Sequence, residues 1–263
     1  MLRLALAAYG LLLPLAATAP SRTAELPPAP KNGEELLALM RERYAGKWYR
    51  TLTFTQKTTL PDGKIETWYE ALELPGKLRI DVAPLDSGKT LLFRNDSLYV
   101  FSQKTLKETH PLVHPLMVLG FDVYEAPVKE TAEKLRGLNF DLSKLHQTTW
   151  RGRPTYVVGA AAGDSTSPQF WIDAERLYFV RSLQPSQKEA GVTNETIFDK
   201  YVQLGGGWVE TEVLFLANGK QRVKEEYSDP KANVKLDPAL FDPTAKAKGP
   251  GLMRNRCARF THP

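Results

Sequence analysis

Apolar and polar residues alternate along residues 54–101, and short turn signals interrupt the alternation. These signals are Pro61-Asp62-Gly63, Pro75-Gly76, Ser87-Gly88 and Asn95-Asp96. Successive side chains of a strand point to opposite faces of its sheet. A period of two between turns therefore predicts antiparallel strands joined in sequence order.

Similar strand-like runs continue towards the end of the chain. Beyond the first hairpins they cover residues 78–82, 90–93, 98–101, 155–159, 169–173, 178–183, 195–202, 208–216 and 220–227. About ten strands with few helices between them predict a mainly β protein with a few helices (α+β), built on an antiparallel sheet. Asn218-Gly219 is the strongest hairpin signal in the chain.

Two segments follow a different pattern. Asn32 and Glu35 have the spacing of a capping box, and apolar residues then recur every three to four positions up to Tyr44, which predicts a helix. The segment 111–142 is apolar and irregular, with a short predicted helix at 130–136. A segment this apolar is expected to cover something, either as an element that plugs the core or as a movable lid.

Residues 1–24 have the features of a secretion signal. Arg3 precedes an apolar run at 4–19, and Ala17-Thr18-Ala19 supplies the small residues of a signal peptidase site. We therefore expect export to the periplasm. We expect one domain at 32–243 and a disordered tail at 244–263. No later segment of the sequence has the roughly 18 apolar residues of a membrane span.

Cysteine content and charge exclude some classes of protein. Cys257 is the only cysteine among 263 residues, so stability is expected from an apolar core and not from disulfides. The chain carries a net charge of +5. Without Arg3 and Arg22 of the predicted signal, 33 basic and 30 acidic residues leave +3. The two signs are interspersed, so no nucleic-acid partner is expected.

Patterns typical of catalysis are weak. Residues 83–90 match a loose phosphate-loop pattern, but a strand-like run follows them, so a hairpin turn is the simpler interpretation. His110 and His114 have the spacing of a zinc pair on a helix, but Pro111 and Pro115 oppose that helix and favour exposed loop histidines. No catalytic residue, metal site or cofactor is therefore predicted.

The chain resembles the bacterial outer-membrane lipoprotein-sorting (LolA/LolB-like) superfamily in the order of several motifs after the first helix. These are Phe54-Thr55-Gln56, Leu72-Glu73-Leu74-Pro75-Gly76-Lys77-Leu78-Arg79-Ile80, Gly88-Lys89-Thr90-Leu91 and Val234-Lys235-Leu236-Asp237-Pro238-Ala239-Leu240-Phe241-Asp242-Pro243. The resemblance extends over residues 32–243. It implies a strongly curved, incomplete β-barrel, covered by helices, that binds acyl chains or another hydrophobic ligand on its concave face without catalysis.

Two features depart from that pattern. In the sorting carriers, the residue before the Pro-Gly turn is typically an arginine that holds the lid closed, whereas this chain has Leu74, which puts a driven open-and-close cycle in doubt. The membrane-anchored branch carries an acylated N-terminal cysteine, and no cysteine follows the apolar run here. A soluble carrier or sensor is therefore the better match.

We expect a periplasmic carrier for an acyl chain, a lipid or a lipoprotein. The expected wall residues are Phe54, Trp68, Leu78, Ile80, Phe93 and Tyr99, and the expected cover at 116–121 contributes Leu116, Met117, Leu119 and Phe121. Parity alone does not identify the concave face. Two alternatives stay open: an envelope sensor that binds an inner- or outer-membrane partner protein through a sheet edge, and an exported hydrolase.

Overall fold

The computed structural model describes residues 29–244. The predicted signal at 1–24, the expected tail beyond residue 244 and Cys257 lie outside the described residues. The helices are α1 (Gly33–Tyr44), α2 (Pro115–Gly120) and α3 (Val128–Gly137). The strands are β1 (Thr51–Thr59), β2 (Ile65–Glu73), β3 (Lys77–Val82), β4 (Thr90–Arg94), β5 (Ser97–Ser102), β6 (Thr105–Pro111), β7 (Leu145–Trp150), β8 (Arg153–Val158), β9 (Gln169–Asp173), β10 (Phe179–Pro185), β11 (Thr193–Asp199), β12 (Val202–Leu204), β13 (Gly207–Val209), β14 (Glu212–Ala217) and β15 (Lys220–Ala232).

Thirteen strands form one open antiparallel sheet, in the order β6-β5-β4-β3-β2-β1-β15-β14-β11-β10-β9-β8-β7. The first and last strands of the chain therefore meet in the middle of the sheet, and β12 and β13 form a separate hairpin. Asn218 and Gly219 both have positive φ angles, as the predicted two-residue hairpin requires. The predicted mainly β, antiparallel fold is confirmed.

The predicted first helix is also confirmed. The Asn32 side chain accepts a hydrogen bond from the backbone N–H of Glu35 at 2.9 Å, and the Glu35 carboxylate accepts one from the N–H of Lys31 at 2.8 Å. The apolar stripe of α1 is buried, with Leu36, Leu37, Met40 and Tyr44 in the main core. Between residues 29 and 244, no helix combines the length and apolar content that crossing a bilayer requires.

Several segments differ from the sequence prediction, which did not include strands β6 and β7. The apolar part of 111–142 was expected to be irregular, but it forms α2, which begins at Pro115, a residue that suits the first helical turn. The predicted strands at 195–202 and 208–216 are each interrupted, because residues between them form the β12–β13 hairpin. A Cβ on Gly206 would lie 2.1 Å from the carbonyl oxygen of Lys47, so glycine permits this hairpin to pack against residues 47–48.

Strong curvature follows from the core contacts. Thirteen strands in a flat sheet would be about 60 Å wide. Nevertheless, Leu78 and Phe93 on one half of the sheet and Phe170 and Phe179 on the other belong to a single apolar cluster with α1 and α2. Both halves of the sheet therefore bend around the same helices.

A smaller apolar cluster lies on the opposite side of the sheet. The segment after β15 packs Phe241, which is 1% exposed, against Ala71, Leu92 and Phe101. The guanidinium of Arg79 donates to the carbonyl oxygen of Leu240 at 3.1 Å. The end of the described chain is thus fastened across β2–β5.

We expect Phe241→Ala to lower the free energy of unfolding by about 3–4 kcal/mol, because it leaves a cavity in this cluster. The measurement is urea unfolding followed by tryptophan fluorescence. Leu106→Ala is the control, since Leu106 is 44% exposed and its truncation should change stability by less than about 0.5 kcal/mol. Equal small losses for both variants would contradict the account of this cluster.

Candidate ligand-binding site

The helix-covered side of the sheet, which we call the inner face, is defined by strand register. Leu52 lies opposite Leu72, Leu72 opposite Leu78, and Leu78 opposite Phe93. All four belong to the main core together with α1 and α2. The other side of the sheet is called the outer face.

Five of the six predicted wall residues lie on the inner face. Four of these side chains are largely covered by the rest of the protein. Phe54, Leu78, Ile80 and Phe93 are only 3%, 7%, 6% and 7% exposed. Trp68 is half-buried and packs at the margin of the core. The predicted wall is therefore mostly the floor under the helices, and Trp68 marks where that floor becomes accessible.

Tyr99 does not share this face. It pairs with Leu92, and both residues pack in the outer-face cluster under Phe241. Its neighbour Leu98 pairs with Phe93 and is the β5 residue on the inner face. A shift of one residue along a strand reverses the face, so Leu98 and not Tyr99 lies beside Phe93 on the inner face.

The predicted cover at 116–121 coincides closely with α2. Met117, Leu119 and Phe121 are buried in the main core, and Leu116 is half-buried at its margin. The approach is close, since a Cβ on Gly120 would lie 2.8 Å from the ring of Phe198. In this structure the segment fills the core, as the plugging alternative predicts, and opening as a lid would expose these side chains.

Hydrogen bonds connect the helical layer to both halves of the sheet. The hydroxyl of Tyr124, just after α2, donates to the carbonyl oxygen of Leu177 before β10 at 3.2 Å. On the other half, the Asp122 carboxylate accepts from the N–H of Gly76 in the β2–β3 turn at 2.9 Å. Burial raises the pKa of Asp122 to about 6. Leu74, in the position where the resemblance implies a lid-holding arginine, is buried in the main core.

The two histidines lie in different environments. His110 lies on β6 with its ring nitrogen 2.8 Å from Glu108, whereas the His114 ring packs edge-on against Phe93. Burial lowers the pKa of His114 to about 4, so it is not an exposed loop histidine. No cluster of three or more His, Cys, Asp or Glu side chains within residues 29–244 is arranged to hold a metal ion.

Part of the inner face is apolar but only half-buried. These side chains lie on β2, β4, β5, β14, β15 and α2, and all pack at the margin of the main core. We call them the partly exposed inner residues: Trp68, Leu91, Leu98, Leu116, Phe215 and Tyr227. The inner face is therefore fully covered at the core residues and only partly covered at these six.

Polar groups interrupt the inner face beside these residues. Glu70 lies opposite Phe54, and the ring of Phe54 stacks on that of Tyr227 with centroids 4.2 Å apart. The Tyr227 hydroxyl donates to the carboxylate of Glu225 at 3.0 Å, and Gln56 donates to Thr58 at 2.8 Å.

Burial dominates the electrostatics of these carboxyls. It raises the pKa of Glu225 to about 7, and hydrogen bonds from Tyr227 and Gln56 offset only part of that shift. The pKa of Glu70 is also raised well above its usual value by burial, and then by the like charges of Glu225 and Glu210. Sequence reasoning missed this group. Glu70 between Trp68 and Leu72 on one face of β2 was the available signal.

Comparisons with solved structures show which fold this is. A LolA superfamily protein from Nitrosomonas europaea aligns with a TM-score of 0.51 and 12% identity, covering 80% of this chain and 97% of its own. A domain from Vibrio parahaemolyticus assigned to outer-membrane lipoprotein sorting gives a TM-score of 0.53 and 15% identity, with coverages of 80% and 96%. A DUF1329 family protein from Desulfovibrio piger gives 0.53 and 15%, with coverages of 81% and 97%.

No protein-family model and no curated protein sequence matches the chain. At 12–15% identity, the structural likeness establishes the fold alone. The resemblance predicted from the motifs is confirmed at that level: the chain has a LolA-like fold.

The raised pKa of Glu225 predicts a pH-dependent stability. Its folded pKa of about 7 exceeds the ordinary 4.5, so the folded state holds its proton more tightly, and stability is lost as the pH rises from about 4.5 through 7. Glu225→Gln stays neutral. Its free energy of unfolding should therefore exceed that of the parent by about 2 kcal/mol at pH 8 and should differ little from it at pH 4.5.

The control for this experiment is the adjacent Glu226→Gln. Lys224 lowers the pKa of Glu226, so its carboxylate is already favoured in the folded state and its replacement should give no gain at pH 8. Urea unfolding at both pH values measures the difference. Equal behaviour of the two variants would show that Glu225 is not held in an apolar environment.

Proposed function

We propose that this protein is an exported, periplasmic binding protein that holds an acyl chain of a lipid or lipoprotein on its inner face, without a catalytic step. The observation that carries the proposal is the set of six partly exposed inner residues beside a fully packed core. The LolA-like fold supports it, because one neighbour of the same fold is assigned to lipoprotein sorting. The periplasmic location depends on the predicted signal at 1–24.

The energetics favour a long hydrocarbon ligand. Each methylene transferred from water to an apolar surface gains about 0.8 kcal/mol. A chain of about ten methylenes would therefore gain about 8 kcal/mol before the entropy cost of binding. Micromolar affinity requires about 8 kcal/mol after that cost, so a longer chain or additional contacts with aromatic side chains would be needed to reach it. Covering Trp68, Phe215 and Tyr227 with such a chain would also remove their remaining contact with water.

The sensor alternative receives less support from the sheet edge. All seven residues of β6, one edge of the sheet, are exposed, but they include Lys107, Glu108 and His110. Charged side chains on an edge strand oppose the addition of another strand. No arrangement within the described residues favours the hydrolase alternative in a comparable way.

The test uses two adjacent aromatic residues on β2. Trp68 is half-buried on the inner face, and Tyr69 is half-buried on the outer face, where it pairs with Asp81. Trp68→Arg should remove the co-purifying lipid, because it places a charge where the chain would lie. Tyr69→Arg should retain that lipid. Native mass spectrometry of protein purified from the periplasm measures the bound mass directly.

Circular dichroism and the urea midpoint check that both variants remain folded. The proposal is contradicted if folded parent protein carries no lipid and also fails to bind a fluorescent fatty acid added to it. It is equally contradicted if Trp68→Arg and Tyr69→Arg bind that probe as well as the parent does. A soluble parent that turns over an ester substrate would instead support the hydrolase.

A further inference from the structure

Three glutamates interact electrostatically beside the partly exposed inner residues. Glu70 on β2 is 6% exposed, and Glu210 between β13 and β14 is 1% exposed. Glu225 on β15 is half-buried and is paired with Thr58 on the neighbouring strand β1. The charges of Glu225 and Glu210 both raise the pKa of Glu70, so the three carboxyls are close enough to interact electrostatically.

This group has no cation of its own. Within residues 29–244, none of the three glutamates forms an ion pair, although most charged side chains on the outer face do. The Oε1 atom of Glu210 is buried and has no hydrogen-bond partner. A buried carboxyl without a partner is costly, so its presence in an otherwise satisfied core needs a reason.

Burial also decides how these groups behave in the free protein. It raises the pKa of Glu70 and Glu210 well above the ordinary value and that of Glu225 to about 7. Burial therefore favours the neutral, protonated form of all three carboxyls. A cation that entered this space would displace those protons and supply the missing partner.

We propose that Glu70, Glu210 and Glu225 receive the ammonium group of an amphiphilic ligand whose hydrocarbon chain lies along the partly exposed inner residues. The inference rests on the proposed function and narrows its ligand to amine-bearing lipids.

The aromatic side chains around the glutamates suit an ammonium group. Tyr227 presents its ring beside Phe54 and its hydroxyl to Glu225, and Trp68 is two positions from Glu70 on the same face of β2. Indole and phenol rings attract cations to their faces, by about 0.5–2 kcal/mol each. The site thus combines negative charge, aromatic faces and an adjoining apolar surface.

The test compares three ligands of equal chain length, which are dodecylamine, dodecanol and dodecanoate, each below its micelle concentration. Isothermal titration calorimetry at pH 7.5 should show dodecylamine binding at least tenfold more tightly than dodecanol, with dodecanoate the weakest. Glu70→Gln and Glu225→Gln should each reduce that preference to threefold or less while dodecanol binds as before. The two variants are made separately, so that one can replace the other if it fails to fold.

Glu73→Gln is the matched control. Glu73 lies on the same strand but on the outer face, where its carboxylate is paired with Lys77, so its loss should leave the amine preference unchanged. The preference for dodecylamine over dodecanol should also rise between pH 5.5 and 8. Over this range the carboxyls lose their protons and become negative, while a primary ammonium stays positively charged. The titratable groups that face this space are Tyr49, Glu66, Glu70, Tyr124, Tyr201, Glu210, Glu225 and Tyr227.

The outcomes separate the two proposals. Failure to bind any of the three ligands would overturn the proposed function itself. Equal binding of dodecylamine and dodecanol would overturn the ammonium site and leave the acyl-chain site intact. An amine preference that survives both glutamate substitutions would overturn the assignment of these residues.

Discussion

The packing of one helical layer against both halves of a single sheet is the constraint on which the rest of the structure depends. Helix α1 and the turn after α2 reach β2–β4 on one side and β9–β10 on the other. The stacked rings of Trp48 and Tyr124, with centroids 3.6 Å apart, lie at the centre of that layer. Because strands from both halves of the sheet contact the same small set of side chains, the sheet bends around that layer.

The same constraint divides the inner face into two regions. Beneath α1 and α2, residues such as Phe54 and Leu78 are covered by the protein itself and contribute stability in the ordinary way. Farther along the strands, Trp68, Phe215 and Tyr227 are less covered and remain half-buried. Under the proposed function, an apolar ligand would cover them, and one surface would then serve as both core and binding site.

Buried carboxyls are the second feature that packing alone does not explain. Glu70 and Glu210 replace what could be apolar side chains in a well-packed region, and each prefers its neutral form there. Asp122 differs, because its carboxylate accepts a backbone hydrogen bond and connects the cover to the β2–β3 turn. Under the proposal above, ligand recognition gives the first two a role.

Local patterns in the sequence determined the strands, the capped helix α1 and the Asn218-Gly219 hairpin, since these depend on neighbours a few residues apart. They also determined the resemblance that indicated the fold. Tertiary structure decided the rest, because curvature, register and coverage depend on residues far apart in the chain. Only strand pairing placed Tyr99 on the outer face and Trp68 on the inner one. Only folding brought Glu70, Glu210 and Glu225, separated by up to 155 positions, into one apolar environment.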